Sequence, residues 1–195
     1  MERTSLSAAD IIPMEEYAKD RKERRTAMSA TKRDRRISCG PDATFYFESY
    51  ETMWHQVHEM LFIEKGGEAQ IADELSAYNP LIPKGKELVA TLMFEIDDEV
   101  RRQSFLAGLG GVEETITFEF EDEQVLGVPE EDVDRTTADG KASSVQFIHF
   151  PFTDAQIAKF KKPDQRVLLG IGHPKYGHIT VISEVAREAL TKDFL

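Results

Sequence analysis

The sequence predicts an α+β fold. A ferredoxin-like, split β-α-β sheet spans about residues 87–173, preceded by a mainly helical extension and followed by a C-terminal helix. Three observations support this prediction: two successions of strand, helix and strand, helix-type patterns through most of residues 1–83, and a capped helix at the C-terminal end. A mixed sheet with helices on both faces is the alternative. With 195 residues and 41% hydrophobic content, the chain is expected to form a single domain, in which residues 1–83 pack on residues 84–195.

The first element is predicted to be one long helix. Ser7 or Asp10 can cap its start, and Pro13 suits a first helical turn because its missing N–H would be unsatisfied there. The helix is expected to end near Asp34. Its apolar positions are sparse, so it should lie on the surface or reach a neighbouring element.

Four further elements are predicted before residue 84. A turn at Gly40-Pro41 separates two short extended runs, and Ser49 can cap the helix that follows. The prolines of YNPLIP stop the last helix. The extended runs are residues 36–39 and 43–47, and the helices are residues 50–65 and 68–77.

The remaining chain alternates strands with helices. ELVATLMFEI is typical of a buried strand and VEETITFEFE of a half-buried one, with a short helix between them. SSVQFIHFPF and QRVLLGIGH repeat this order around a helix capped by Thr153, and Ser183 can cap the terminal helix. The polar residues 122–143 between the two units are expected to form a long loop.

The charge of the chain is acidic but uneven. A net charge of −12 at pH 7 argues against a nucleic-acid or anionic-membrane binder, because phosphate binding needs a surplus of Lys and Arg. Residues 19–36, however, hold nine basic and three acidic side chains, a local charge of +6. This segment is either a solvated helix paired with the acidic body or a docking surface for an acidic protein partner. The docking residues would be Lys22, Arg24, Arg25, Lys32 and Arg33.

Cysteine usage and hydropathy predict a cytoplasmic protein. The single Cys39 excludes an internal disulfide and suits a reducing compartment, and no histidine adjoins it to activate the thiol. The N-terminal residues lack the apolar core of a secretory signal, and no window approaches the roughly 18 apolar residues of a membrane span.

The segment FESYETMWHQVHEM places polar side chains along one face of its predicted helix. A solvated face is the ordinary interpretation of such a stripe. Phe62 falls in the same sector, which indicates partial cover by another element. At about 100° per residue, the stripe opposite the apolar face consists of Glu48, Thr52, His55 and Glu59.

The inner pentapeptide HQVHE is a weak metal motif. Zinc metalloprotease helices carry H-E-x-x-H with histidines one turn apart, whereas these two are three residues apart, and no Glu-x-x-His of a di-iron bundle lies on this helix. The positions of His149, His173 and His178 give no ligand signature either. No metal is therefore predicted, and His55 with Glu59 stays as the weak alternative.

Five strings carry a family resemblance: PMEEYAKDRKERR, RRISCGPDATFYFES, ETMWHQVHEML, ELSAYNPLIPKGKELVATLMFEI and LGIGHPKYGH. Together they resemble a bacterial family classed as a domain of unknown function, over nearly the whole chain from Ile11. The resemblance implies no activity. It implies genes beside those of a rubrerythrin-like di-iron protein and an iron-sulfur oxidoreductase, and so a di-iron or iron-sulfur protein as partner. The family's helix pattern falls here on Glu48, Thr52, Met53, Gln56, Glu59 and Met60, without either histidine.

The polar helix residues define a candidate pocket. A buried carboxylate needs a cation or several donors, so Arg35 and Arg36 just upstream are expected to pair with the stripe's carboxylates. Residues at a helix end and a strand end add further candidates. The full set is Arg35, Arg36, Glu48, Thr52, Gln56, Glu59, Tyr78, Asn79, His173 and Tyr176.

Two functions remain open at this stage. The favoured one is an accessory or docking protein of a redox system that uses its basic helix. The alternative is an enzyme or a protein that binds a small molecule or metal in a pocket around Arg36, Glu48, Gln56 and Glu59. P-loop, nucleophile-elbow and CxxC motifs are absent from the sequence. The pattern indicates neither a cofactor nor an oligomeric state, and a homo-oligomer is compatible with it.

Overall fold

The computed structural model describes residues 3–130 and 140–195 and has the α+β content predicted. The helices of this part are α1 (Met14–Asp34), α2 (Tyr50–Glu64), α3 (Glu68–Tyr78), α4 (Glu99–Leu106), α5 (Asp154–Phe160) and α6 (Glu184–Thr191). The strands are β1 (Arg36–Cys39), β2 (Ala43–Phe47), β3 (Glu87–Phe94), β4 (Ile116–Phe120), β5 (Glu123–Leu126), β6 (Val128–Pro129), β7 (Val145–Pro151), β8 (Leu168–His173) and β9 (Tyr176–Val181).

The strands form two antiparallel sheets, and this corrects the expected single ferredoxin-like sheet. Sheet A has the order β1-β2-β3-β7-β6 and sheet B the order β5-β4-β8-β9. The strands of both predicted β-α-β units are thus divided between the sheets. The physical reason is that β2 and β7 occupy the two edges of β3, so β4 has no edge of β3 to pair with. Tight hairpins instead pair β4 with β5 and β8 with β9.

The main core lies between the two sheets. Phe118 of β4 is fully buried, and its ring centroid lies 5.7 Å from that of Phe47 in β2 and 4.7 Å from that of Phe150 in β7. Aromatic rings bury much apolar surface and favour such tilted contacts. The interlocked rings therefore hold the two sheets face to face.

A helical layer covers the outer face of sheet A. Met53, Val57 and Leu61 of α2 are buried together with Val89, a residue of β3 that points away from the main core. The helix α2 packs between α1 and α3. The N-terminal part therefore contributes two strands to sheet A as well as the helices on its outer face.

Local capping signals mark several helix starts as predicted. The side chains of Ser49, Thr153 and Ser183 each accept a hydrogen bond from the first turn of α2, α5 and α6. The long first helix differs, because it begins at Met14 after Pro13 and Ser7 instead precedes a short 3-10 turn.

The expected loop over residues 122–143 is corrected in part. It contains β5 and β6, which close the edges of the two sheets, while residues 131–139 lie outside the described residues. Apolar alternation in such short strands is too brief to separate them from a loop. In the described ranges, no helix has the length and apolar character that crossing a membrane requires.

Candidate functional site

A row of four side chains crosses the outer face of sheet A. Antiparallel pairing sets Arg36 opposite Tyr46, Tyr46 opposite Thr91, and Thr91 opposite Phe147. Directly opposed residues project from the same face of a sheet. The row therefore presents a cation, a phenol, a hydroxyl and an aromatic ring to the helices above it.

A cavity of about 410 Å³ lies between this row and the helices. The end of α1, the middle of α2 and the end of α3 cover it. Its walls combine apolar and aromatic groups with a few polar ones, as is typical of small-molecule sites. The cavity is lined by Lys32, Arg35, Arg36, Tyr46, Phe47, Glu48, Met53, Gln56, Tyr78, Leu81, Thr91, Met93, Val145 and Phe147.

Glu48 supplies a buried carboxylate to the cavity wall. The residue is only 8% exposed, and its two carboxylate oxygens accept hydrogen bonds from the hydroxyls of Thr52, at 2.7 Å, and Thr91, at 2.9 Å. In residues 3–130 and 140–195, no Lys, Arg or His nitrogen lies within 4.0 Å of this carboxylate. A buried carboxylate is normally paired with a cation, so Glu48 has unused capacity to accept a donor.

The expected pairing with carboxylates of the polar stripe is corrected for Arg36, which forms no ion pair among the described residues, and for Arg35. The Arg35 Nε donates to the carbonyl of Phe47 at 3.0 Å, its Nη1 to that of Ala189 at 3.0 Å, and its Nη2 to that of Glu48 at 2.8 Å and to the carboxylate of Asp193. Burial raises the pKa of the Asp193 carboxyl to about 6, and the guanidinium opposes this rise, so the pair is ionised at neutral pH. Arg35 thus ties β1 and β2 to the C-terminal helix.

Among the described residues, the cavity-lining cations without an ion pair within 4.0 Å are Lys32 and Arg36. Lys32 is half-buried on the last turn of α1, whereas Arg36 is exposed and lies with its Cζ 4.8 Å from the ring centroid of Tyr46. Such stacking orients a guanidinium without using its N–H groups. Across the cavity, Gln56 donates weakly to the hydroxyl of Tyr78 at 3.4 Å.

Glu59 lies outside the cavity and joins α1 to α2. Arg21 donates to both of its oxygens, at 2.9 and 2.8 Å, and the hydroxyl of Tyr17 donates to it at 2.8 Å. Burial works to raise the pKa of Glu59, but the hydrogen bonds from Arg21 and Tyr17 outweigh burial and the pKa is lowered. The carboxylate therefore holds the two helices together.

The two histidines of HQVHE also have structural partners. His55 Nδ1 lies 3.2 Å from the Tyr17 hydroxyl, and His58 Nε2 accepts from the backbone N–H of Ile12 at 3.1 Å. Burial lowers the pKa of both imidazoles. In the part of the chain that the structure describes, no three His, Cys, Asp or Glu side chains are grouped to hold a metal ion.

Three further sequence candidates lie away from the cavity. The Asn79 side chain bonds the backbone N–H and carbonyl of Leu6, at 2.7 and 2.9 Å. His173 accepts from the backbone N–H at Lys175 in the β8–β9 turn, and Tyr176 donates to the carbonyl of Cys39. Each of these side chains fixes a turn or a strand end.

A second hollow is an open basic groove of about 890 Å³ along α1. Of the predicted docking residues, it contains Lys22, Arg25 and Arg33. Arg24 lies outside it, because its guanidinium pairs with Asp20 at 2.9 Å and lies 5.3 Å from the ring of Trp54. We name this hollow the α1 groove; it is lined by Ala18, Arg21, Lys22, Arg25, Thr26, Ser29, Ala30, Arg33, Arg36 and Phe62.

The cavity contains residues that the sequence did not single out. Tyr46, Thr91 and Phe147 reach it through the cross-strand register, which joins positions far apart in the chain. Alternation along TFYF and ELVATLMF indicates which residues share a face of one strand. It does not indicate which strand lies beside which, so this row could not be read from the sequence.

Family relationships now add to the geometry. A family model described as Protein of unknown function (DUF3501) matches residues 5–194. The chain belongs to this family. A crystal structure described as a novel protein of unknown function from Burkholderia pseudomallei K96243 is 34% identical, and the alignment covers 98% of this chain and 100% of that chain with a TM-score of 0.90. No curated protein matches the chain.

The DUF3501 relationship bears on the fold rather than on chemistry. Neither the family description nor that of the Burkholderia structure names a ligand, a partner or an activity. The function of this DUF3501 chain is therefore argued from the cavity and the α1 groove.

Proposed function

We propose that the protein binds a small organic molecule in the cavity between sheet A and its helical layer. The observation that carries the proposal is the convergence of Arg36, Glu48, Gln56 and Tyr78 on one cavity of about 410 Å³. This volume suits a small metabolite, since ligand sites span about 300–1,000 Å³.

The test is a ligand-observed NMR screen with a chemically broad fragment library. Val145 lines the cavity and is half-buried, so Val145→Trp should fill the cavity with an indole. The control is Val181→Trp, since Val181 is 57% exposed on β9 of the other sheet. We expect fragments that bind the unmodified protein and Val181→Trp but not Val145→Trp. A screen without any such fragment would refute a ligand site here.

A second candidate function is docking of an acidic protein partner in the α1 groove. The observation that favours it is the line of five cations along the groove, in a chain whose net charge is −12. Three of them are partly neutralised, because Arg21 and Arg25 pair with Glu59 at 2.8 and 4.0 Å and Arg33 pairs with Asp34 at 3.4 Å. A local positive field in an acidic protein selects acidic partners and speeds their association.

Charge reversal in the groove tests this docking function. Fluorescence anisotropy with a labelled oligoglutamate peptide should show binding that weakens with salt and is lost when Lys22, Arg25 and Arg33 are changed to Glu. The matched control changes the exposed Lys19, Lys175 and Lys192 to Glu, which shifts the net charge equally outside the groove. Equal binding by both triple variants would contradict a specific groove.

The redox identity of the partner rests on the family resemblance. We propose it as the narrower form of the docking function, with a di-iron or iron-sulfur protein in the groove. The same two triple variants test it with a purified rubrerythrin-like protein in place of the peptide. If the groove variant still binds that protein, the proposal of a redox partner is wrong, and the proposal of a ligand in the cavity is unaffected.

A further inference from the structure

We infer that the ligand of the cavity is a dipolar molecule, with an amine or comparable cationic N–H donor for Glu48 and an anionic group for Lys32 and Arg36. This inference rests on the proposed ligand site and specifies its chemistry.

The donor end follows from the surroundings of Glu48. The carboxylate is buried and accepts one hydrogen bond on each oxygen, both from threonine hydroxyls. Each carboxylate oxygen can accept more than one bond, so capacity remains on both. Arg35 donates to the backbone carbonyl of Glu48, and it uses four of its five N–H groups on three carbonyls and on Asp193. A cationic donor on a ligand would complete the pairing that a buried carboxylate requires.

The anionic end follows from the cations at the cavity opening. Glu48 is 8% exposed, whereas Arg36 is exposed and Lys32 half-buried, so the two cations lie nearer the solvent than the carboxylate. Within the described ranges, neither Lys32 nor Arg36 forms an ion pair within 4.0 Å. Arg36 is held over the Tyr46 ring, and its more distant charge helps to lower the pKa of Glu95. A guanidinium and an ammonium in the wall of one cavity can recognise a carboxylate or phosphate.

The rest of the cavity wall is largely apolar. Met53, Leu81, Met93 and Phe147 line the cavity beside the polar groups, and the first two are nearly completely buried. Hydrocarbon or aromatic ligand surface would be stabilised there by removal from water. The cavity thus combines an acceptor, an apolar wall and cations, and these groups complement a molecule with a positive end, an apolar part and a negative end.

Graded ω-amino acids test the inference and measure the span. The probes are 4-aminobutanoate, 6-aminohexanoate and 8-aminooctanoate, each compared with the alkylamine and the alkanoate of the same carbon number. For one length, the amino acid should bind at least about tenfold more tightly than either single-function probe, since one charged hydrogen bond contributes about 1.5–3 kcal/mol. Calorimetric titration of the unmodified protein measures these ratios.

Paired substitutions assign each end. Glu48→Gln keeps the side-chain shape and should remove the advantage of the amino acid over the alkanoate, while Lys32→Met with Arg36→Met should remove its advantage over the alkylamine. Thermal unfolding of each variant verifies that it is folded. The fragments that Val145→Trp excludes should likewise carry both an amine and an acid.

The outcomes separate the two levels of the proposal. If alkanoates, alkylamines or uncharged fragments bind as tightly as the amino acids and Val145→Trp excludes them, the ligand site stands and the dipolar class is wrong. The same conclusion follows if Glu48→Gln binds the amino acids unchanged. If no probe or fragment depends on Val145, both the site and the ligand class are wrong.

Discussion

Single residues of this protein divide into those that hold the fold and those that face the cavity, and Arg35 and Arg36 show this side by side. Arg35 is 5% exposed and bonds three carbonyls and Asp193, whereas Arg36 is exposed and rests on Tyr46. A guanidinium presents five N–H donors in a rigid planar fork, whereas an ammonium presents three donors on a flexible stem. Two adjacent arginines in the sequence therefore have opposite roles.

We predict that Arg35→Lys lowers the free energy of unfolding by about 2–4 kcal/mol, because several buried acceptors lose their donor. Arg36→Lys should change it by less than about 0.5 kcal/mol, as is usual for an exposed residue. Urea denaturation of both variants measures the difference. Equal destabilisation by the two substitutions would show that Arg35 does not hold the C-terminal helix.

His58 is predicted to make the fold sensitive to acid. Its Nδ1 lies 2.7 Å from the Trp54 carbonyl and its Nε2 accepts from the Ile12 N–H, which requires the neutral imidazole with the proton on Nδ1. Burial lowers its pKa below the ordinary value of 6.5. Below pH 6.5 the unfolded chain therefore binds the proton more readily, and stability falls by up to about 1.4 kcal/mol per pH unit until the folded-state pKa is reached.

His58→Gln tests this because glutamine can keep an acceptor near Ile12 and does not titrate. The variant should be less stable than the unmodified protein at pH 7.5, and the difference should shrink as the pH falls to 5. Denaturation curves at several pH values measure it. Parallel stability profiles for the two proteins would mean that His58 does not titrate on unfolding.

At the scale of elements, α1 is attached to the molecule by few contacts. Of the 21 residues of α1, Tyr17 alone is fully buried. The Tyr17 hydroxyl and the Arg21 guanidinium both donate hydrogen bonds to Glu59 of α2. The helix is also kinked at Asp20, where φ is −120° and ψ is 16°. An element with so little buried surface opens at low free energy without unfolding the sheets.

We predict that Tyr17→Ala speeds amide hydrogen exchange in residues 14–34 while leaving exchange in β3 unchanged. The loss of a buried aromatic side chain costs about 3–5 kcal/mol, here confined to the contact between α1 and α2. Thr26→Ala is the control on the exposed face of the same helix. Faster exchange spread evenly over α1 and β3 would show that α1 unfolds only with the whole protein.

The helices and strands also show how much of the fold could be predicted from the sequence. The boundaries of α2, with Ser49 before it, and of α3, stopped near Pro80, follow from local capping and proline chemistry and agree with the structure to about one residue. Sheet membership depends instead on which distant strands pair, so the division of β3 and β4 between two sheets could not be predicted. The candidate site was likewise predictable only in part. Glu48 and Gln56 lie at and in one predicted helix, whereas Thr91 reaches the cavity only because β3 pairs with β2.

At the scale of the whole molecule, the two sheets are joined through the rings around Phe118. This residue is fully buried, and its ring contacts Phe47 and Phe150 of sheet A as well as Phe160 of α5. Among the described residues, no helix layer like that on sheet A covers the outer face of sheet B, and Ile179 on β9 is 68% exposed. The stability of sheet B therefore depends mainly on this inner face.

We predict that Phe118→Ala lowers the free energy of unfolding by about 3–5 kcal/mol, through lost burial and a cavity between the sheets. Both sheets should lose structure in one transition, since the rings belong to both. Chemical denaturation followed by far-UV circular dichroism measures this, with the exposed Val181→Ala as the control. A loss below about 1 kcal/mol would mean that other contacts hold the sheets together.

In the part of the chain that the structure describes, Arg36 is the side chain that lines both the cavity and the α1 groove. A ligand anion that engages its guanidinium withdraws a positive charge from the groove, and an acidic segment in the groove withdraws it from the ligand. Binding at two sites that share a group is reciprocal, so each occupant must weaken the other by the same factor. If both sites are functional, the protein would release its acidic partner when the cavity holds its ligand and bind the partner when the cavity is empty. Arg36→Met would abolish this antagonism.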